Sequence, residues 1–88
     1  MTNHPLLVYN QIEVIFLNID EKISKHLRNI IKNKFGNMKN AAIKLEMNER
    51  YLENIVYKIK KGEYPSMKKL KEIANVCGCE ITDFFKVD

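Results

Sequence analysis

Leu52, Ile55, Val56 and Ile59 fall at i, i+3, i+4 and i+7 of a stretch that opens after Asn48 and stops before Gly62. Apolar residues at that spacing line one side of an α-helix, and the side has to be buried against something else. Every other segment of the chain has to be compatible with covering it. Ahead of it, Ile23, Leu27, Ile30 and Ile31 recur at helical spacing over residues 20–35, with Asp20 placed to cap the start and Gly36 following the end. A short helix over residues 38–45 follows Asn37, a good N-cap, and its Ala41 and Ala42 leave room for another helix to approach closely. The helix over 49–61, capped by Asn48, spans about 20 Å. A fourth helix follows Pro65 and Ser66, turns Met67, Leu70, Ile73, Ala74 and Cys77 inward, and stops at Gly78. A last short helix over 81–85 offers Ile81, Phe84 and Phe85 to the same core. The expected fold class is all-α, a compact five-helix domain.

With 88 residues there is one core and no second domain. A chain of this size buries roughly 60–65% of its unfolded surface, which leaves no volume for a deep substrate cleft. Residues 1–19 stand apart as an N-terminal arm before the main body, 20–88. Ile12, Val14, Ile15, Phe16 and Leu17 are β-branched, aromatic or aliphatic, residue types that favour a pleated backbone. Positions 8, 12, 15/16, 19, 23 and 27 also fit helical spacing. The residue types favour a strand, which would need a partner strand from a second chain or from residues 6–9.

Charge is distributed in three blocks. Residues 1–21 sum to −3, residues 22–71 to +10 and residues 72–88 to −3, for a net +4. A cationic middle between acidic ends suits a polyanion, although a lysine-rich helical surface also produces it. Both cysteines lie in Cys77-Gly78-Cys79, too close together to staple a small secreted scaffold, so a reducing, cytoplasmic setting is expected. The apolar stretch 6–19 is interrupted by Asn10, Gln11, Glu13 and Asn18, and lacks both the length of a membrane span and the basic start of a signal peptide.

The polar side of the 49–61 helix carries the chemistry. Arg50, Asn54, Tyr57, Lys58 and Lys61 lie opposite its apolar stripe. Arginine donates two hydrogen bonds to guanine and asparagine pairs with adenine in the major groove. Tyrosine and lysine meet backbone phosphates. Every amphipathic helix has a polar side, so this face gains weight from the elements around it: a short helix with an Ala pair, a tight turn, then a longer helix.

In that order the sequence resembles the lambda-repressor-like (XRE/Cro-type) helix-turn-helix family over about residues 21–86. The resemblance rests on Ala41-Ala42-Ile43-Lys44-Leu45-Glu46-Met47-Asn48, then Tyr51-Leu52-x-x-Ile55, Lys61-Gly62-Glu63-Tyr64-Pro65-Ser66, Leu70-Lys71-Glu72-Ile73-Ala74, and the ending from Cys77 through Phe84-Phe85. Three departures stand out. Glu46 replaces the usual turn glycine, Met38 stands where a glutamine often reaches DNA, and the third helix is about three residues longer, adding Lys58, Lys60 and Lys61.

The resemblance implies a sequence-specific double-stranded DNA-binding protein, a small transcriptional repressor with the third helix in the major groove. It makes Asn48, Glu49, Arg50, Glu53 and Asn54 the candidate base readers. Phosphate contacts fall to Asn37, Lys39, Asn40, Tyr57, Lys58, Lys61 and Ser66, helped by the amides of Ser66 and Met67. Glu49 and Glu53 would repel phosphate unless they accept from cytosine or pair within the protein. Specificity normally needs two half-sites, so a homodimer is expected, with Ile12, Val14, Ile15, Phe16 and Leu17 as the dimer element. The arm could instead cover the same monomer's core. The alternative function is a protein-binding module of the same fold, such as an antitoxin, antirepressor or inhibitor.

No catalytic constellation or cofactor motif appears in the sequence, and His4, His26, Cys77 and Cys79 lack zinc spacing, so no enzyme activity, cofactor or metal is expected.

Overall fold

The computed structural model describes residues 4–87, with side chains described from residue 19 onward. It is all-helical: α1 (His4–Phe35), α2 (Met38–Lys44), α3 (Glu49–Lys60) and α4 (Met67–Cys77), closed by a single 3₁₀ turn, Ile81–Phe85. Four of the five expected helices are α-helices and the fifth is this tighter turn. Its five residues are held by reciprocal bonds, in which the Glu80 amide donates to Asp83 Oδ2 and the Asp83 amide to the Glu80 carbonyl. His26 Nε2 on α1 donates to the Asp83 carbonyl at 2.8 Å, fixing the turn against the first helix.

The N-terminal arm is not a strand. α1 is one helix of 32 residues that runs unbroken through residues 19 and 20, about 48 Å at the usual rise. The molecule measures 54 Å along its longest direction and 23 Å along the other two. Strand preference spans only about 1 kcal/mol and needs a neighbouring strand to be realised. A helix already nucleated over 20–35 extends at little cost per residue, so the helical spacing prevailed. Asp20 accordingly caps nothing; it sits within α1 and accepts a hydrogen bond from the Tyr64 hydroxyl at 2.7 Å.

α1 and α3 form the centre of the core. Lys60 meets Glu21, Ser24 donates to the Val56 carbonyl at 2.8 Å, and Arg28 meets Glu53, so progress along α1 is regress along α3 and the two run antiparallel. Between them Ile23, Leu27 and Ile31 pack with Leu52, Ile55, Val56 and Ile59, all buried. Burying each such side chain contributes about 1.5–3 kcal/mol. Ala41, Ala42 and Met38 of α2, Leu70, Ile73, Ala74 and Cys77 of α4, and Phe84 of the final turn complete the cluster. Two residues assigned inward by spacing lie outside: Met67 is 59% exposed at the open first turn of α4, and Phe85 is 40% exposed.

The turns between helices show how the chain handles positive φ. α3 ends with Gly62 at φ 84, where Gly62 donates to the Ile59 carbonyl and Glu63 to the Lys58 carbonyl. The same two-bond pattern ends α2, with Glu46 donating to Ile43 and Met47 to Ala42. There the left-handed residue is Glu46 itself, at φ 55. At residue 62 a side chain is disfavoured by the backbone and also crowded, because a Cβ would come within 3.1 Å of Asp20 Oδ2. Glu46 bears the strain of a left-handed L-residue, about 1 kcal/mol. Glu46→Gly is therefore expected to raise the urea midpoint, by up to about 1 kcal/mol of stability. A lowered midpoint would show that the glutamate side chain contributes more than its backbone costs.

Candidate nucleic-acid interface

The antiparallel packing on α1 decides which way α3 faces. With Leu52, Ile55, Val56 and Ile59 in the core, Arg50, Asn54, Tyr57 and Lys61 project together from the opposite side, and all four are exposed. From Arg50 to Lys61 this row is about 16 Å long. Lys61 Nζ stands 4.9 Å from the Tyr57 ring centroid, a cation–π pairing that holds the two ends of the last turns together. Lys58 is exposed on the flank beside the α3–α4 loop. There it lines a shallow groove of about 300 Å³ with Tyr51, Asn54 and Tyr64.

The two glutamates behave differently. Glu49 is exposed in the first turn, where a carboxylate favours the helix dipole. Glu53 is half-buried and paired with Arg28 of α1 at 2.8 Å. Of the two resolutions open to a carboxylate beside a phosphate-binding face, Glu53 takes the internal pair. The bond crosses between helices, because Arg28 lies opposite Glu53 in the antiparallel register. The pair, partly open to water, contributes roughly 0–1 kcal/mol to stability.

Several candidate contact residues already hold the backbone. Asn48 Oδ1 accepts from the Arg50 amide at 2.7 Å, Asn37 Oδ1 from the Asn40 amide at 2.8 Å, and Ser66 Oγ from the Lys69 amide at 3.1 Å. Each is an N-cap, so these oxygens are committed to the backbone, although all three residues are exposed. Asn40 Nδ2 donates to the Phe35 carbonyl at 3.1 Å, joining the start of α2 to the end of α1. Lys39 is exposed. Met38 is 3% exposed, so the side chain at the start of α2 serves the core.

Ile12, Val14, Ile15, Phe16 and Leu17 lie on the helical backbone of α1, and their side chains are outside the described residues. Cys77 is buried, and that burial, with Cys79 beside it, pushes its thiol up to about 11. Cys79 is half-buried and is raised by burial and by Asp83 and Glu80. Both remain protonated thiols at neutral pH, which suits packing over nucleophilic work. Among the described residues no group of three or more His, Cys, Asp or Glu could hold a metal, and no helix is long and apolar enough to cross a membrane.

Two features escaped sequence-based expectation. Tyr51 is 49% exposed, with the Lys69 ammonium 5.8 Å from its ring centroid. Tyr64 ties the α3–α4 loop to α1 through Asp20 and stacks at a tilt on Phe85, 6.1 Å between centroids. No sequence signal locates this tie, because Asp20 and Tyr64 lie 44 residues apart. The chain matches no protein-family model, no curated protein and no solved structure.

Burial first, then the hydrogen bond to the Asp20 carboxylate and its charge, raise the Tyr64 phenol well above the ordinary tyrosine range. A raised folded value means that the contribution is present below the unfolded value near 10 and is lost as the pH rises through the folded one. Alkaline unfolding of the protein is expected to steepen above about pH 10 relative to Tyr64→Phe, whose stability should vary less with pH there. Parallel curves for the two proteins would remove the tie.

Proposed function

We propose that this protein binds double-stranded DNA sequence-specifically, inserting the 49–61 helix into the major groove, and acts as a small transcriptional regulator of the repressor kind. The observation that carries this is the exposed row Arg50, Asn54, Tyr57 and Lys61 on a helix whose opposite side is wholly in the core. An α-helix fits the major groove, about 12 Å wide, only when such a side is free along its length. Arg50 and Asn54 carry the hydrogen-bonding groups suited to base edges. Lys58 and Lys61 supply charge for the flanking phosphates, and Tyr57 a hydroxyl. Glu53, neutralised by Arg28, adds little repulsion.

The order of a short helix, tight turn and longer helix, in which the sequence resembles the lambda-repressor-like family, supports the same reading. So does the charge block of +10 over residues 22–71. One helix spans only a few base pairs, so two copies would bind two half-sites about one turn of duplex apart. The element proposed to join them is the N-terminal half of α1, now as helix against helix instead of strand against strand.

Arg50→Ala should relax discrimination at one base pair by about 1–3 kcal/mol, read as competition between duplexes that differ at that pair. Lys61→Ala should weaken all duplexes alike and make the dependence of log affinity on log salt shallower by about 0.9. If neither change alters duplex binding, α3 is not the reading head, and the protein-docking alternative takes its place.

A further inference from the structure

The antiparallel register of α1 and α3 places a second basic row beside the first. The two helices touch through Glu21 with Lys60, Ser24 with Val56, and Arg28 with Glu53. On the flank of that seam where Lys25 and Tyr57 line one groove, α1 presents Lys25, Asn29 and Lys32, all exposed. At i, i+4 and i+7 they form a single row, with about 10 Å along the axis from Lys25 to Lys32. The adjacency to α3 is direct, because Lys25 and Tyr57 line the same interhelical groove of about 320 Å³.

The two lysines of this row differ from the cations on the α1–α3 seam itself. Arg28 and Lys60 are both engaged with carboxylates. Among the described residues, neither Lys25 nor Lys32 has an ion-pair partner. Packed helices lie about 8–10 Å apart, and the major groove is about 12 Å wide. A helix seated in the groove therefore brings its packed neighbour to the groove's rim, where the sugar–phosphate strand runs.

We propose that α1 carries a phosphate-binding row, Lys25 and Lys32 with Asn29 between them, which grips one strand of the duplex whose major groove α3 occupies. The inference rests on the α3 reading and adds to it. Lysines act there as point charges on flexible stems, so the row supplies affinity and no base preference.

The test uses the full chain carrying Lys25→Ala and Lys32→Ala together, titrated with a fluorescent random-sequence duplex over a range of salt. The expected result is a salt dependence shallower by about 1.8, at about 0.9 for each phosphate no longer neutralised, with preference among duplexes unchanged. A charge-matched control removes Lys71, which lines a separate groove with Glu80 and Ile81, and Lys86, which pairs with Asp83; it should leave that slope in place. The row is overturned if the double variant keeps the parent slope, or if the control lowers it equally. It is also overturned if the two lysines govern binding to vesicles of anionic lipid and not to duplex. Arg50→Ala and Lys61→Ala, run alongside, separate the two failures: their loss of binding with an unaffected Lys25/Lys32 variant removes the row and leaves α3 as the reader.

Discussion

The antiparallel contact between α1 and α3 governs the rest of this molecule. It buries the apolar stripe of α3 against Ile23, Leu27 and Ile31, and its buried Ser24 hydroxyl, bonded to the Val56 carbonyl, fixes the register. Once that register is set, the outward residues of α3 have one direction in which to point. α2 and α4 then complete the cover of the core on the remaining sides. A hydrogen bond of this buried kind contributes about 1 kcal/mol net, less than the apolar packing around it, and its importance lies in choosing one sliding position over others.

Electrostatics on the exposed side follow from the same register. Two acids beside the proposed binding face pair across the α1–α3 seam, Glu53 of α3 with Arg28 and Glu21 of α1 with Lys60. These pairs contribute little to stability at the surface, and their larger effect is on the field. They remove negative charge from the strip between the helices and leave Arg50, Lys58 and Lys61 as the cations on the α3 side.

Much of this was legible in the sequence because the helices of the body are strongly periodic and punctuated. The spacing of Leu52, Ile55, Val56 and Ile59 located the buried side of α3, and with it the exposed row, without any structural information. Glu46 was legible as an oddity, and its positive φ is the unfavourable backbone that a missing glycine predicts. The residues at 12–17 were misleading. Their side-chain types favour a strand, but a helix already running behind them extends more easily than an isolated strand forms. Met67 and Phe85 were misplaced because spacing defines a face but cannot tell that the first or last turn of an element overhangs the core. The Arg28–Glu53 and Tyr64–Asp20 contacts were invisible, since each joins residues far apart in sequence and depends on a register that only the folded chain defines.

Selection of bound duplexes from a random pool tests the central claim, that the outward face of α3 reads base edges. The account predicts enrichment of a short sequence, repeated in inverted orientation about one helical turn apart, and loss of part of that sequence when Arg50→Ala is selected in parallel. A pool that stays random after selection at low salt, or an enriched sequence unchanged by Arg50→Ala, would contradict it.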